Sequence, residues 1–208
     1  VNLSKIASSF GTPAYVYSKK ALTENALMYV NSFTNPDNMA CFSVKSLSNL
    51  SVLKLLKEVG CGFDVVSGGE MHRALSIGAD PKSIIFSGVG KSSDEIKQGI
   101  LNKILSFNVE SISELYKIEA IAKKLQMNAS VSIRFNPDID SGGHDYITTG
   151  RKGDKFGISS IEDILNLSTY ISESPNLNMV GLACHIGSQI INLESYKETA
   201  QRTFELAD

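Results

Sequence analysis

Short apolar runs recur along the chain, and each is followed by a polar or glycine-rich turn. Runs of this length that alternate with helical patterns are typical of buried parallel strands joined by helical crossovers. The sequence therefore predicts an α/β fold with right-handed connections. The six runs occupy residues 41–44, 63–66, 84–86, 105–109, 131–133 and 180–184.

Helical patterns lie between these runs. Ser92 with Glu95, and Ser111 with Glu114, have the spacing of capping boxes, and each pair predicts the start of a helix. Before the repeat, residues 14–17 predict a strand, so residues 1–34 are expected to form a lead-in of one strand and one helix before a barrel at 35–208. The other predicted helices cover residues 20–33, 49–59, 70–77, 161–172 and 193–206.

The architecture that fits this alternation is a TIM-type (β/α)8 barrel that is incomplete. About six strand and helix units are present, whereas a closed barrel needs eight and roughly 250 residues. The chain also stops inside a helical pattern without a glycine or proline terminator. We therefore expect a truncated barrel. The carboxyl ends of its strands converge on the face that carries the chemistry of such folds.

Several apolar runs end in residues capable of chemistry. Lys45 follows the first run, where its ammonium would be partly desolvated, although most lysines are solvated surface groups. Asp64 lies within a run that leads into Ser67-Gly68-Gly69, which is either an anion-binding helix start or an ordinary tight turn. Arg134 and His185 end two later runs, and His185 is either a structural histidine or a ring that stacks on a planar ligand.

Two polar segments call for separate interpretations. Residues 87–92 (SGVGKS) imitate a nucleotide-binding loop, but that motif requires glycine at position 85, which is Ile85 here. Ser92 is better explained as a helix cap. Residues 136–157 are rich in Gly, Asp and Lys and longer than most connections, so they are either functional or mobile; we expect a functional loop.

The composition and net charge of the chain disfavour nucleic acid as a partner. With 42% hydrophobic residues, 20% charged residues and a net charge of −2, the chain offers no electrostatic footprint for nucleic acid. No membrane span or signal peptide is apparent, so we expect a cytoplasmic protein. Its three cysteines fit reduced, buried thiols, with a reactive Cys61 as the alternative, and the histidine spacing does not indicate a metal site.

In combination, the motifs resemble those of the diaminopimelate decarboxylases over nearly the whole chain. Members of that family are pyridoxal-phosphate enzymes with an alanine-racemase-like barrel followed by a β domain. The motifs are FSVK at 42–45, FDVVSGGE at 63–70, FSGVGK at 86–91, FNVES at 107–111, RFNPDID at 134–140, HDYITTG with KFG between 144 and 157, and CHIGSQ at 184–189.

The resemblance implies a role for each candidate residue. Lys45 would form a Schiff base with pyridoxal phosphate, His185 would stack on the pyridine ring, and Ser188 would help to hold the phosphate. Arg134 and Asp64 would line the cofactor side of the pocket. The implied reaction converts the small amino acid meso-diaminopimelate into L-lysine and carbon dioxide, in a homodimer.

The resemblance also implies that part of the active site lies outside these 208 residues. The family's later glycine-rich phosphate loop, its glutamate that pairs with the pyridinium nitrogen and its Cys-Asp pair from the partner subunit lie beyond residue 208, so the chain alone is expected to be inactive. The alternatives are a decarboxylase of the same fold acting on ornithine, arginine or carboxynorspermidine, a noncatalytic barrel that carries pyridoxal phosphate, and an unliganded phosphate-binding barrel.

Overall fold

The computed structural model describes residues 2–139 and 156–208. Within them, six strands form one sheet in chain order, and every neighbouring pair is parallel. All six predicted strands are therefore confirmed. The strands are β1 (Cys41–Ser43), β2 (Gly62–Val65), β3 (Ile84–Phe86), β4 (Ser106–Val109), β5 (Ala129–Arg134) and β6 (Leu177–Ala183).

Helices connect successive strands, as the α/β class requires, and the predicted helical segments are confirmed to within a few residues. None of the described helices is both long and apolar enough to cross a bilayer. The helices are α1 (Leu3–Phe10), α2 (Lys19–Val30), α3 (Leu50–Glu58), α4 (Gly68–Ser76), α5 (Ser93–Asn102), α6 (Ile112–Leu125), α7 (Ile161–Glu173) and α8 (Leu193–Ala207).

The core is built around aromatic residues on neighbouring strands. Phe63, Phe86 and Phe107 are almost completely buried, and the rings of the last two stack with centroids 6.0 Å apart. Burying one such side chain contributes roughly 1.5–3 kcal/mol. Because side chains alternate along a strand, Asp64 lies on the opposite face of β2 from the buried Phe63 and Val65.

The N-terminal segment differs from its prediction. Residues 14–17 form no strand, and Tyr15 is 90% exposed. Among the described residues no strand pairs with them, since β1 is an edge strand whose partner is β2. The strand propensity of tyrosine and valine is not realised without a neighbour to pack against. The helix α1, capped by the Asn2 side chain, was not predicted, and the division of the chain at residue 34 stays a prediction.

The two predicted capping boxes have different outcomes. Ser92 caps α5 in a complete box with Glu95, which confirms its interpretation as a helix cap. Ser111 caps α6 by accepting from the Glu114 amide, but the Glu114 carboxylate turns away to the Glu110 N–H and to Lys91. The second box is therefore only half formed.

Candidate active site

A cavity of about 760 Å³ lies at the carboxyl ends of the strands. This volume is within the range of small-molecule sites in proteins. Most of the polar loop predicted at 136–157 lies outside the described residues, since 140–155 are not among them. All of the site residues predicted from the sequence line this one cavity: Lys45, Asp64, Arg134, His185 and Ser188.

Lys45 and His185 reach the cavity from opposite edges of the sheet. Lys45 lies in the short 3-10 turn that directly follows β1, whereas His185 and Ser188 follow β6. The sheet must curve for its first and last strands to share a cavity. Lys45 is exposed, and the expectation that its ammonium is partly desolvated stays a prediction.

Hydroxyl groups from neighbouring strands hold the carboxylate of Asp64. Ser87 Oγ donates to Asp64 Oδ1 at 2.5 Å, and Ser43 Oγ donates to Oδ2 at 3.3 Å. Asn108 Nδ2 donates in turn to Ser87 Oγ at 2.9 Å. These polar side chains come from β1, β2 and β4 and from the turn after β3, and they form a hydrogen-bonded row along the cavity wall.

Arg134, the last residue of β5, is held from two directions. Its Nη1 lies 2.7 Å from Glu110 Oε1. The guanidinium carbon lies 5.4 Å from the centre of the Phe156 ring, within the range of a cation–π contact. Arg134 therefore presents a fixed positive charge to the cavity.

The local electrostatics favour a neutral imidazole at His185. Partial burial lowers the pKa of His185, and the positive charges of Arg134 and Lys45 lower it further. The carboxylates of Asp64 and Glu110 act in the opposite direction and offset only part of this effect. A neutral, planar ring at the cavity edge is suited to lie against a flat ligand.

The thiols near the site are poorly suited to nucleophilic chemistry. Cys41 lines the cavity, and burial, followed by Asp64 and Cys61, raises its pKa to about 11. Burial also raises the pKa of Cys61, which disfavours the reactive-thiol alternative, and it raises the pKa of Cys184. All three cysteines are free thiols, but the predicted burial is found only for Cys61, since Cys41 and Cys184 are partly buried.

The polar partners of Asp64 were not predicted from the sequence. The available signal is a repeated pattern in which one polar residue lies between Phe and Val: Ser43 in FSV, Asp64 in FDV and Asn108 in FNV. Alternation puts each of these polar residues on the face of the sheet opposite its apolar neighbours. Ser87 has no such flanking pattern, and its role depends on strand register.

The chain matches known proteins in both sequence and fold. The pyridoxal-binding domain of the pyridoxal-dependent decarboxylases matches residues 19–208. The chain belongs to this family. Pyridoxal phosphate is accordingly the cofactor of the domain, and the barrel of these decarboxylases is the fold of which the chain forms six strand and helix units.

Two relatives of this chain within the family are diaminopimelate decarboxylases. A diaminopimelate decarboxylase of Neisseria meningitidis serogroup A is 44% identical over 98% of this chain and 50% of its own length. The crystal structure of diaminopimelate decarboxylase from Helicobacter pylori complexed with L-lysine has a TM-score of 0.94 and 40% identity, over 99% of this chain and 52% of that one. The chain thus spans about half the length of these relatives.

A more distant neighbour shares only the fold. The arginine decarboxylase of Paramecium bursaria Chlorella virus has a TM-score of 0.80 at 22% identity, over 99% of this chain and 53% of that one. The same architecture therefore occurs in decarboxylases named for different amino acids, so the fold by itself does not determine the substrate.

Proposed function

We propose that the protein to which this domain belongs catalyses the pyridoxal-phosphate-dependent decarboxylation of meso-diaminopimelate to L-lysine and carbon dioxide. The observation that carries the proposal is the meeting of Lys45, His185 and Ser188 at one cavity, although they follow strands at opposite edges of the sheet. The substrate is inferred from the 44% identity to a diaminopimelate decarboxylase and from the L-lysine complex of the Helicobacter pylori enzyme.

The groups around the cavity fit pyridoxal phosphate chemically. Lys45 supplies a primary amine for the aldehyde, and it lies on an exposed turn from which its long side chain can reach inward. His185 supplies a planar face, and Ser188 supplies a hydroxyl donor for the phosphate. Arg134 and Asp64 would line the cofactor side and give the wall one basic and one acidic group.

The protein's contribution to the reaction is orientation and charge. When bound, pyridoxal phosphate supplies the electron sink for the electron pair released as carbon dioxide leaves. Ser43 and Ser87 hold the carboxylate of Asp64 in one orientation. Groups held in this way need little reorganisation during the reaction, which is the main source of electrostatic catalysis.

Decarboxylation assays of the protein expressed from its complete coding sequence test this function. We expect release of carbon dioxide from meso-diaminopimelate, and little from ornithine, arginine or carboxynorspermidine. A preference for one of these other substrates would transfer the assignment to that reaction. Cofactor binding without turnover of any of the four would support a noncatalytic barrel, and a Lys45→Ala variant is the matched inactive control.

We also infer a cytoplasmic protein and a homodimer that completes its active site from both subunits. The free thiols are consistent with a reducing compartment, and the dimer follows from the resemblance to the family. We expect the 208 residues by themselves to be inactive, since they span about half the length of their relatives. Light scattering of the complete protein tests the dimer.

A further inference from the structure

We propose that Glu110 is a positioning residue of this site, which acts by holding the guanidinium of Arg134 in place. The inference rests on the proposed cofactor site but adds a residue that does not itself line the cavity. It also gives a role to Gly88 and Lys91 of the SGVGK segment at 87–91, to which the proposed function assigns none.

Glu110 follows β4 and is almost completely buried, with 2% of its side chain exposed. Its Oε1 accepts from Arg134 Nη1 at 2.7 Å and from the backbone N–H of Gly88 at 2.9 Å. A buried carboxylate is strongly destabilising unless a cation or several donors compensate its charge. Arg134 is the compensating cation, so the position of the guanidinium and that of the Glu110 carboxylate depend on each other.

A second buried ion pair supports Glu110 from behind. Glu114 Oε2 accepts from the Glu110 N–H at 2.7 Å, and Glu114 Oε1 is 2.7 Å from Lys91 Nζ. The ammonium of Lys91 also donates to the carbonyl oxygens of Gly88 at 2.6 Å and Asn108 at 2.8 Å, which uses all three of its hydrogens. The backbone of Glu110 is therefore fixed independently of Arg134.

The turn at Gly88 is held at both of its polar groups. Its N–H binds Glu110, its carbonyl binds Lys91, and its φ of +93° lies in the region that favours glycine. Through these two hydrogen bonds, the SGVGK segment connects the cavity wall to the Glu110 carboxylate.

The second carboxylate oxygen of Glu110 allows the charge to be removed while the shape of the side chain is kept. Oε2 is buried and accepts no hydrogen bond within the described part of the chain. In a Glu110→Gln variant, the amide oxygen can take the place of Oε1 and keep both of its acceptor roles, while the NH2 group replaces the unpartnered oxygen. The variant thus preserves shape and removes the negative charge that holds Arg134.

The test measures the dissociation constant of pyridoxal phosphate by absorbance titration, on protein expressed from its complete coding sequence, with thermal unfolding in parallel. We expect Glu110→Gln to raise this constant about tenfold, the order expected for a charge-assisted contact. The matched control is Glu119→Gln. The Glu119 carboxylate accepts from Tyr170 and Ser174 on the helical layer and does not line the cavity, so its effect should stay within about twofold.

A double-mutant cycle separates positioning from a general loss of stability. In an Arg134→Gln background, Glu110→Gln should change the dissociation constant by less than about twofold, because its target is gone. Equal effects in both backgrounds, or a single Glu110→Gln variant that binds like the wild type, would overturn the role of Glu110 alone. A wild-type protein that does not bind pyridoxal phosphate would overturn the proposed function as well.

If Glu110→Gln does not fold, Glu110→Asp, which retracts the carboxylate by one methylene, should show the same loss of affinity.

Discussion

Ser87 Oγ donates a 2.5 Å hydrogen bond to Asp64 Oδ1, and this contact joins the turn after β3 to the middle of the site. Because Asn108 Nδ2 donates to the same Ser87 oxygen, the hydroxyl hydrogen is directed to Asp64. Asn108 thus determines the direction of a hydrogen bond in which it takes no part.

Replacing the donor amide of Asn108 by an acceptor should disturb Asp64. In Asn108→Asp the new carboxylate competes for the Ser87 proton and puts a second negative charge beside Asp64. Hydrogen bonds to charged groups contribute about 1.5–3 kcal/mol, so we expect at least about a tenfold weaker binding of pyridoxal phosphate, measured by titration.

The matched control for that change is Asn102→Asp. The amide of Asn102 donates to the Gln98 carbonyl near the end of α5 and does not line the cavity. Cofactor affinity should be unchanged in this variant. Equal affinities in the two variants would show that the Asn108–Ser87–Asp64 row does not support the site.

The lowered pKa of His185 predicts a dependence of stability on pH. Burial and the nearby positive charges hold this pKa below its ordinary value of 6.5 in the folded protein. Below that pH the unfolded chain therefore binds more protons at this site than the folded chain. The neutral His185 therefore contributes fully to the free energy of unfolding above pH 6.5. This contribution is lost as the pH falls below 6.5.

Urea unfolding of the wild type and of His185→Gln, each from pH 8 down to about pH 5, isolates this effect. The wild type should lose more unfolding free energy than the variant below about pH 6.5. The other titrating groups are common to both proteins and cancel in the difference. Parallel stability curves would contradict the assignment.

Breaking the buried ion pair of Lys91 and Glu114 should lower the free energy of unfolding far more than breaking an exposed ion pair. Lys91→Met leaves Glu114 buried without its cation, and breaking such a pair costs about 3–5 kcal/mol. Lys91→Met combined with Glu114→Gln should recover part of this loss. The exposed pair of Lys20 and Glu24 provides the control, since Lys20→Met should change stability by about 0.5 kcal/mol or less. Similar losses for the two lysine variants in urea unfolding would refute this distinction.

The strands and their chemically active ends could be predicted from the sequence because each apolar run is interrupted at a definite polar residue. Arg134 and His185 mark such ends, and parallel strands bring their ends together by topology alone. Lys45 was placed correctly at a strand end, but its exposure depends on the neighbours that surround it in the assembled fold.

The support of the site could not be predicted in the same way. Glu114 has the spacing of a capping box with Ser111, yet Lys91 and the Glu110 N–H take its carboxylate. That competition arises only once β3 and β4 are in register. The N-terminal run at 14–17 shows the same limit, because its strand propensity required a neighbouring strand that the described residues do not supply.

The lysine that carries the cofactor can be located by chemical trapping. The complete protein, incubated with pyridoxal phosphate, is reduced with sodium borohydride, digested and mapped by mass spectrometry. We expect the reduced cofactor on the peptide that contains Lys45, and the Lys45→Ala variant should lose this attachment. Attachment at another lysine, such as Lys91, or no attachment in the wild type would contradict this expectation.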